Sequence, residues 1–594
     1  MPNRHLLKSL AVTVTLLFAT LFATLFATPV ALAQSAQSLA DLLPAETFLA
    51  LGTSDLSGQT DKLQPFIDEF ERLDLGAALE QLFPASEGEA TGPLTDSLKT
   101  RFAGLGALDL VGREAWIALS ASSFNPLPAL TLLAQLSPEA STQVAAALTE
   151  ETAKASVQTL TEGDYTFYQE TLEGDGAMVQ AVAYAQVDDT LLLSTNPDTL
   201  RGALRQLGGS QDPNFTRSAG YGATLGAEAA GNFHAYLDYA QVADTLAPYA
   251  QSLGFDKLVA RLAQALRTAG VSSGAVRLTD AGLEREGLQV PSADGGDAEL
   301  YALLTAPTGA DTATAALVPA TALSWSSSST DLSKWWTYLN SLAASTPELG
   351  GSLDNLLQTF FGLDLRSTFF NWAGSGVTSV TTEVGEVAQA GVPSSNLLGN
   401  TVYLIKTNDE AAAKAGLATL LQKLSSTVAS FADPSGGAGN AETMTQDVSG
   451  VSLTTYNVTG NISLSYAVAD GYAVIATSEN ALTAALTARA CGASLQEGEG
   501  FQRLVATAPA DASSLSVSDG GASLASTAQQ VTEQLRATAG LTGAANLDFD
   551  AVEAASGKLE TFLSFVAQRL GFSTAFVEHR DGTIRSRGET QVSW

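Results

Sequence analysis

The chain has 594 residues, with 62 Asp and Glu against 29 Lys and Arg, and its formal net charge at pH 7 is −33. A surface of this charge repels nucleic acid and anionic lipid headgroups, so we expect no nucleic-acid partner. The single cysteine, Cys491, excludes an intramolecular disulfide framework.

The amino-terminal residues predict export. Arg4 and Lys8 precede an apolar run at residues 10–28, and Ala31-Leu32-Ala33 follows it. This order is typical of a secretory signal peptide with an A-x-A site, so cleavage is predicted to remove residues 1–33. The run is nearly long enough to span a bilayer, and an uncleaved anchor is the alternative. No later apolar stretch has that length, so the mature chain is predicted to have no membrane span and to reside in the periplasm or at the cell surface.

Two stretches farther along the chain are copies of each other. Residues 184–204, YAQVDDTLLLSTNPDTLRGAL, and residues 466–486, YAVADGYAVIATSENALTAAL, are identical at seven of 21 positions without a gap. Each copy predicts a strand, a tight turn, a second strand and a helix. Asn196 and Ser478 occupy the same place in the two copies, where either side chain can cap the helix that follows.

Landmarks around these copies also recur and divide the chain into units. Pro44 in the first half corresponds to Pro319 in the second. We predict a first unit at residues 41–290, a connection at residues 291–315 and a second unit at residues 316–594.

Each unit is predicted to open with a strand and an amphipathic helix, which in the first unit covers residues 65–83. The order strand, helix, strand, strand, helix, strand resembles a split βαβ arrangement. The connection is predicted to hold one strand, at residues 299–305. Tandem hairpins interrupted by amphipathic helices favour antiparallel over parallel strands. The predicted fold class is therefore α+β: two homologous units of antiparallel sheet with amphipathic helices, related as a pseudo-twofold tandem duplication.

The mature chain carries few side chains suited to catalysis or metal binding. Its histidines are His234 and His579, and neither lies in a nucleophile motif. The patterns HExxH, P-loop, paired CxxC and D-x-D-x-D-G are absent. His234 and Asp238 alternate along one predicted strand but lie about 13 Å apart, too far to bind one ion. We therefore predict no catalytic, cofactor-binding or metal-binding residues, no cofactor and no enzymatic activity.

One difference between the units is a candidate for function. Trp335-Trp336 aligns with Gln59-Thr60 of the first unit. Neighbouring helical residues point about 100° apart, so both rings cannot enter one narrow core stripe. One interpretation is packing between the two units, and the other is a ligand or partner patch formed by Trp335 and Trp336.

The recurring motifs also carry a resemblance. The opening Leu43-Pro44-Ala45-Glu46-Thr47, its counterpart Val318-Pro319-Ala320-Thr321, and the endings TNPDTLRGAL and TSENALTAAL resemble a family of exported bacterial proteins catalogued as a domain of unknown function. The resemblance covers essentially the mature chain. It implies a cell-envelope location and no established activity, so no family catalytic residues carry over.

Three hypotheses of function follow from export, duplication and the missing motifs. The first is a non-enzymatic envelope protein that acts as a scaffold or partner-binding module. The alternative is a carrier of an apolar, lipid-like ligand in a cavity between sheet and helices. The third is a hydrolase whose catalytic residues come together only in the fold.

Overall fold

The computed structural model describes residues 38–75, 113–121, 128–151, 157–171, 181–227, 231–252, 256–306, 309–345, 351–382, 401–432, 442–459, 462–525 and 549–594. Of the predictions above, the signal peptide and residues 76–83 of the first helix lie outside these ranges.

Twenty strands lie in the described residues. They are β1 (Thr47–Ser54), β2 (Glu114–Ser120), β3 (Ala129–Gln135), β4 (Val157–Glu162), β5 (Tyr165–Thr171), β6 (Ala181–Val187), β7 (Thr190–Ser194), β8 (Phe233–Asp238), β9 (Val271–Thr279), β10 (Gly282–Val290), β11 (Ser324–Ser328), β12 (Ala373–Thr381), β13 (Thr401–Thr407), β14 (Glu442–Val448), β15 (Val451–Thr459), β16 (Ile462–Ala469), β17 (Tyr472–Ala476), β18 (Ser514–Asp519), β19 (Leu570–Arg580) and β20 (Thr583–Val592).

The α-helices with bounds in the described residues are α1 (Thr60–Arg72), α2 (Pro138–Glu151), α3 (Pro197–Leu207), α4 (Ala219–Ala223), α5 (Tyr239–Ser252), α6 (Asp256–Ala269), α7 (Ala298–Thr305), α8 (Leu332–Ala344), α9 (Leu353–Phe361), α10 (Glu410–Ala432), α11 (Glu479–Cys491), α12 (Glu499–Thr507) and α13 (Phe549–Ala567). Short 3-10 helices precede β1 and β11, at Leu39–Leu42 and Thr312–Leu317, and a π-helical turn lies at Arg366–Phe370.

All twenty strands form one sheet, and every strand pairing in the described residues is antiparallel. From edge to edge the order is β4-β5-β6-β7-β3-β2-β1-β8-β9-β10-β20-β19-β18-β11-β12-β13-β17-β16-β15-β14. The predicted α+β class with antiparallel sheet is therefore confirmed. The split βαβ arrangement is wrong, because β1 and β2, the strands on either side of α1 in the chain, pair directly and antiparallel, whereas that arrangement places another strand between them.

Local sequence explains the hairpins and helices that the two copies predict. Asp188 and Asp470 have φ angles of 53° and 54°, the left-handed conformation that a tight hairpin turn requires. Asn196 and Ser478 each accept a hydrogen bond from a backbone N–H in the first turn of α3 and α11. The predicted strand, turn, strand and helix are therefore confirmed at both places.

Helices cover both faces of the sheet. Face A is the side that carries Trp116 and Trp325, and it packs against α3 in the first half and against α11 and α12 in the second. Face B is the opposite side, which carries Ala134 and Ile405, and it packs against α2 and α10. Successive residues of a strand point to opposite faces, so each strand contributes to both layers.

Two predicted elements differ from the structure. Residues 299–305, predicted as a strand, lie in helix α7, because the Asp297 side chain caps its first backbone N–H groups. The helix predicted at residues 65–83 is α1, which begins earlier and ends at Arg72. Asp74 then has a φ of 49°, and a right-handed helix cannot continue through a residue with a positive φ.

Candidate functional site

The structure places Trp335 and Trp336 on α8, with both side chains half-buried. The Trp336 ring lies 5.6 Å from the Phe370 ring, and its Nε1 donates to Asp354 Oδ1 at 2.9 Å. The Trp335 ring meets the Tyr338 ring edge to face, with 6.3 Å between centroids. The two indoles therefore contact different neighbours, and the ligand or partner patch stays a prediction.

Tyr338 borders a polar cleft between α6, the start of α7, and α8. The volume of the cleft is about 360 Å³. Helix α6 precedes the connection between the halves and α8 follows it, so the cleft lies where the two halves meet. Its polar lining includes Arg261 and Gln264 on α6, Asp297 and Glu299 at the start of α7, and Tyr338 and Ser341 on α8.

Three charged side chains influence the pKa of the Tyr338 hydroxyl. Burial is the largest cause of a rise in the pKa of Tyr338 to about 12, and the carboxylates of Asp297 and Glu299 add to the rise. The Arg261 guanidinium opposes it. The Tyr338 hydroxyl is therefore influenced by both negatively and positively charged side chains.

His234 belongs to a cluster on face A beside β1. Its ring stacks on Trp116, with centroids 5.8 Å apart and planes 17° from parallel, and its Nε2 lies 3.1 Å from Ser54 Oγ. Ser54 Oγ donates its proton to the Gly231 carbonyl at 2.6 Å, so the imidazole acts as the donor to Ser54. A general base must accept the serine proton, whereas here the imidazole donates a hydrogen bond to the serine oxygen. Gly52 makes room for the stack, since a Cβ there would lie 2.6 Å from the Trp116 ring.

We expect the His234 imidazole to stay neutral down to about pH 4, since burial lowers its pKa to about 4. The unfolded chain takes up this proton near pH 6.5. The contribution of His234 to stability is therefore complete above pH 6.5 and is lost as the pH falls from 6.5 towards 4. Chemical shifts of the imidazole between pH 3 and 8 measure this pKa, and a midpoint near 6.5 would contradict the buried environment.

His579 lies far from this cluster in the sheet. The register from β8 through β9, β10 and β20 to β19 places His234 on face A and His579 on face B, so the two histidines form no common site. Within the described ranges, no group of three or more His, Cys, Asp or Glu side chains converges as metal ligands do. No helix in those ranges has the length and hydropathy to cross a membrane.

Face B differs in chemistry between the two halves. In the first half, the register of β1, β2, β3 and β8 places seven aliphatic side chains together, and none of them is buried. We call them the leucine face: Leu49, Leu51, Ile117, Leu119, Leu130, Leu132 and Leu237. Ile117 is 48% exposed and Leu130 is 37% exposed. Exposed aliphatic side chains gathered in one patch are typical of binding surfaces.

The same places in the second half hold polar residues. These polar residues lie on β11, β12, β13 and β18, which occupy the matching positions in the strand order. We call this set the serine face: Ser324, Ser326, Ser379, Thr381, Thr401, Tyr403 and Ser518. In this half α8 packs against β12, and Leu332 of α8 joins the cluster that α10 forms on face B.

Comparison with known proteins finds a family and distant structural neighbours. No curated protein shows significant similarity to the chain. Crystal form III of TP0453 matches with 10% identity over 46% of this chain and 86% of that chain, with a TM-score of 0.23. Crystal form IV matches with 10% identity over 43% and 81%, also with a TM-score of 0.23. At these scores the likeness carries no conclusion about fold or function.

The family match concerns the larger part of the chain. Residues 111–515 match the family described as Protein of unknown function (DUF3352). The resemblance to a domain of unknown function is thereby confirmed. Because the match spans more than half of the chain, the protein belongs to the DUF3352 family.

Proposed function

We propose that the protein is an exported, non-enzymatic cell-envelope protein that acts as a partner-binding module, with the leucine face as its binding surface. The observation that carries this proposal is the contrast on face B. The first half presents aliphatic side chains where the second half presents serine, threonine and tyrosine. A packing requirement common to both halves would select the same chemistry in both, so the contrast favours a role specific to the first half.

The occupant that this surface fits is the apolar side of an amphipathic helix from a partner protein. In the second half the chain's own α8 packs over β12, so face B has the geometry to accept a helix there. The leucine face offers no hydrogen-bonding side chain, which suits leucine-like anchors spaced along a helix. Ile117 is 48% exposed and Leu130 is 37% exposed, so burial of the remaining surface stabilises such a complex by about 0.5–1.5 kcal/mol for each side chain.

We infer that the two halves arose by tandem duplication and are related by a pseudo-twofold axis. The strand order of the first half recurs in the second with ten added to each strand number. The halves meet where β10 pairs with β20, and the turns before these strands, Asp280 and Asp581, stand 301 positions apart. Glu286 and Arg587 are also 301 positions apart, and they face each other across this seam. A twofold axis places a residue opposite its own equivalent, so this register supports the duplication.

The leucine face is tested by giving it the polar residues of the other half. Ile117→Ser with Leu130→Thr installs the residues that stand at the equivalent positions, Ser379 and Thr401. Binding is measured with a synthetic helical peptide that carries leucine on one side and glutamine and serine on the other. We expect the natural chain to bind this peptide and the double variant to bind it at least 10-fold more weakly.

The matched control is Val505→Ser on α12, which changes a side chain that is 46% exposed and lies away from the leucine face. We expect this variant to bind the peptide as the natural chain does. Equal binding by the double variant, or no binding by the natural chain, would contradict the proposal. Export is tested by amino-terminal sequencing of the cell-derived protein, which we expect to begin at Gln34.

The alternative is a carrier of an apolar, lipid-like ligand. The purely aliphatic chemistry of the leucine face favours it, since an acyl chain needs no hydrogen-bonding group. Extraction of the purified protein with organic solvent, followed by mass spectrometry, distinguishes the two. A lipid present in equimolar amount, and lost from the Ile117→Ser, Leu130→Thr variant, would favour the carrier.

A further inference from the structure

The polar cleft between α6, α7 and α8 plays no part in partner binding at the leucine face. Its volume of about 360 Å³ lies in the range of small-molecule sites. Three elements wall it, and each contributes a different chemistry. Helix α6 contributes a guanidinium and an amide, the start of α7 contributes two carboxylates, and α8 contributes hydroxyl groups.

The cation in this cleft has no carboxylate partner. Arg261 donates from Nη1 to Gln264 Oε1 at 3.2 Å, and among the described residues no ion pair with a carboxylate accompanies this bond. The remaining donors of the guanidinium are therefore available to a carboxylate from outside the chain.

The carboxylates of Asp297 and Glu299 differ in the contacts that they already make within the protein. Asp297 Oδ1 accepts the backbone N–H groups of Glu299 and Leu300 and so caps α7. Glu299 is exposed, and within the described part of the chain no cation forms an ion pair with its carboxylate. An unpaired carboxylate and an unpaired guanidinium thus stand on separate walls of one cleft, both within electrostatic range of Tyr338.

We propose that this cleft binds a small zwitterion of the amino-acid class, with its carboxylate on Arg261 and its ammonium on Glu299. A ligand of a single charge would leave either Arg261 or Glu299 without an oppositely charged partner. A zwitterion provides an opposite charge for both Arg261 and Glu299. Tyr338 and Ser341 also line the cleft, and the Ser341 hydroxyl donates to the Tyr338 carbonyl oxygen at 2.8 Å.

The test is isothermal titration of the full-length protein with the twenty free amino acids. For each one that binds, the N-acetyl derivative removes the ammonium charge and the methyl ester removes the carboxylate charge. We expect at least one free amino acid to bind and both derivatives to bind at least about 10-fold more weakly, since each loses one charge-assisted hydrogen-bonded pair. Glucose serves as the neutral polar control and is expected not to bind.

Two variants locate the binding in this cleft. Arg261→Gln and Glu299→Gln are each expected to weaken binding at least about 10-fold. Arg201→Gln, which alters an exposed arginine on α3, is expected to leave binding unchanged. The proposal is overturned if no free amino acid binds, if glucose or either derivative binds as tightly, or if Arg261→Gln binds like the natural chain.

Discussion

Replacing Trp325 by alanine is expected to lower the free energy of unfolding by about 3–5 kcal/mol. The Trp325 side chain is completely buried in the face A core of the second half. Its ring meets Phe501 edge to face at 5.3 Å, and its Nε1 donates to Thr314 Oγ1 at 3.2 Å. The substitution leaves a cavity and removes the donor to a buried hydroxyl, so both effects destabilise the fold.

Urea unfolding followed by circular dichroism measures this loss as a lower midpoint. Trp335→Ala is the matched control, because Trp335 is half-buried on α8. We expect its cost to be less than half of that for Trp325→Ala. Equal costs for the two tryptophans would contradict the assignment of Trp325 to the core.

The second large effect is expected at the seam between the halves. Gly282 begins β10 with a φ of 140°, and a Cβ there would lie 2.0 Å from the Thr590 carbonyl oxygen of β20. We expect Gly282→Ala to cost about 3 kcal/mol or more, because backbone strain adds to a contact that the paired strand cannot relieve. Hydrogen exchange of β10 and β20 peptides, measured by mass spectrometry, should become faster.

Gly471→Ala separates the strain from the contact. Gly471 has a φ of 79°, but no atom lies within 4 Å of the position of its Cβ. We expect this variant to cost about 1–2 kcal/mol and to leave the exchange of β10 and β20 unchanged. Similar exchange at the seam in both variants would show that the β10–β20 pairing does not depend on Gly282.

The parts of the fold that sequence predicts are those that neighbouring residues determine. The turns at Asp188 and Asp470 and the caps at Asn196 and Ser478 depend on side chains a few positions apart. The sequence predicts a strand where α7 lies, because a short apolar run suits either element, and the Asp297 cap decides between them. The strand order depends on pairings between distant residues, and no local pattern contains them.

The candidate sites were predictable only in part. The contrast between the units includes Trp335, and the next turn of the same helix carries Tyr338 of the polar cleft. Arg261 and Glu299 come from separate elements that only the fold brings together. The leucine face had a visible signal, since Leu49 and Leu51 align with Ser324 and Ser326, but its extent required the register of four strands.

The most direct test of the central proposal is a photoreactive amino acid placed on face B of the protein in living cells. One chain carries it in place of Ile117, and a second carries it in place of Ser379, the equivalent position of the serine face. We expect position 117 to crosslink to one protein partner, Leu130→Thr to abolish this crosslink, and position 379 not to form it. The same protein crosslinked from both positions, or lipid alone from position 117, would contradict it.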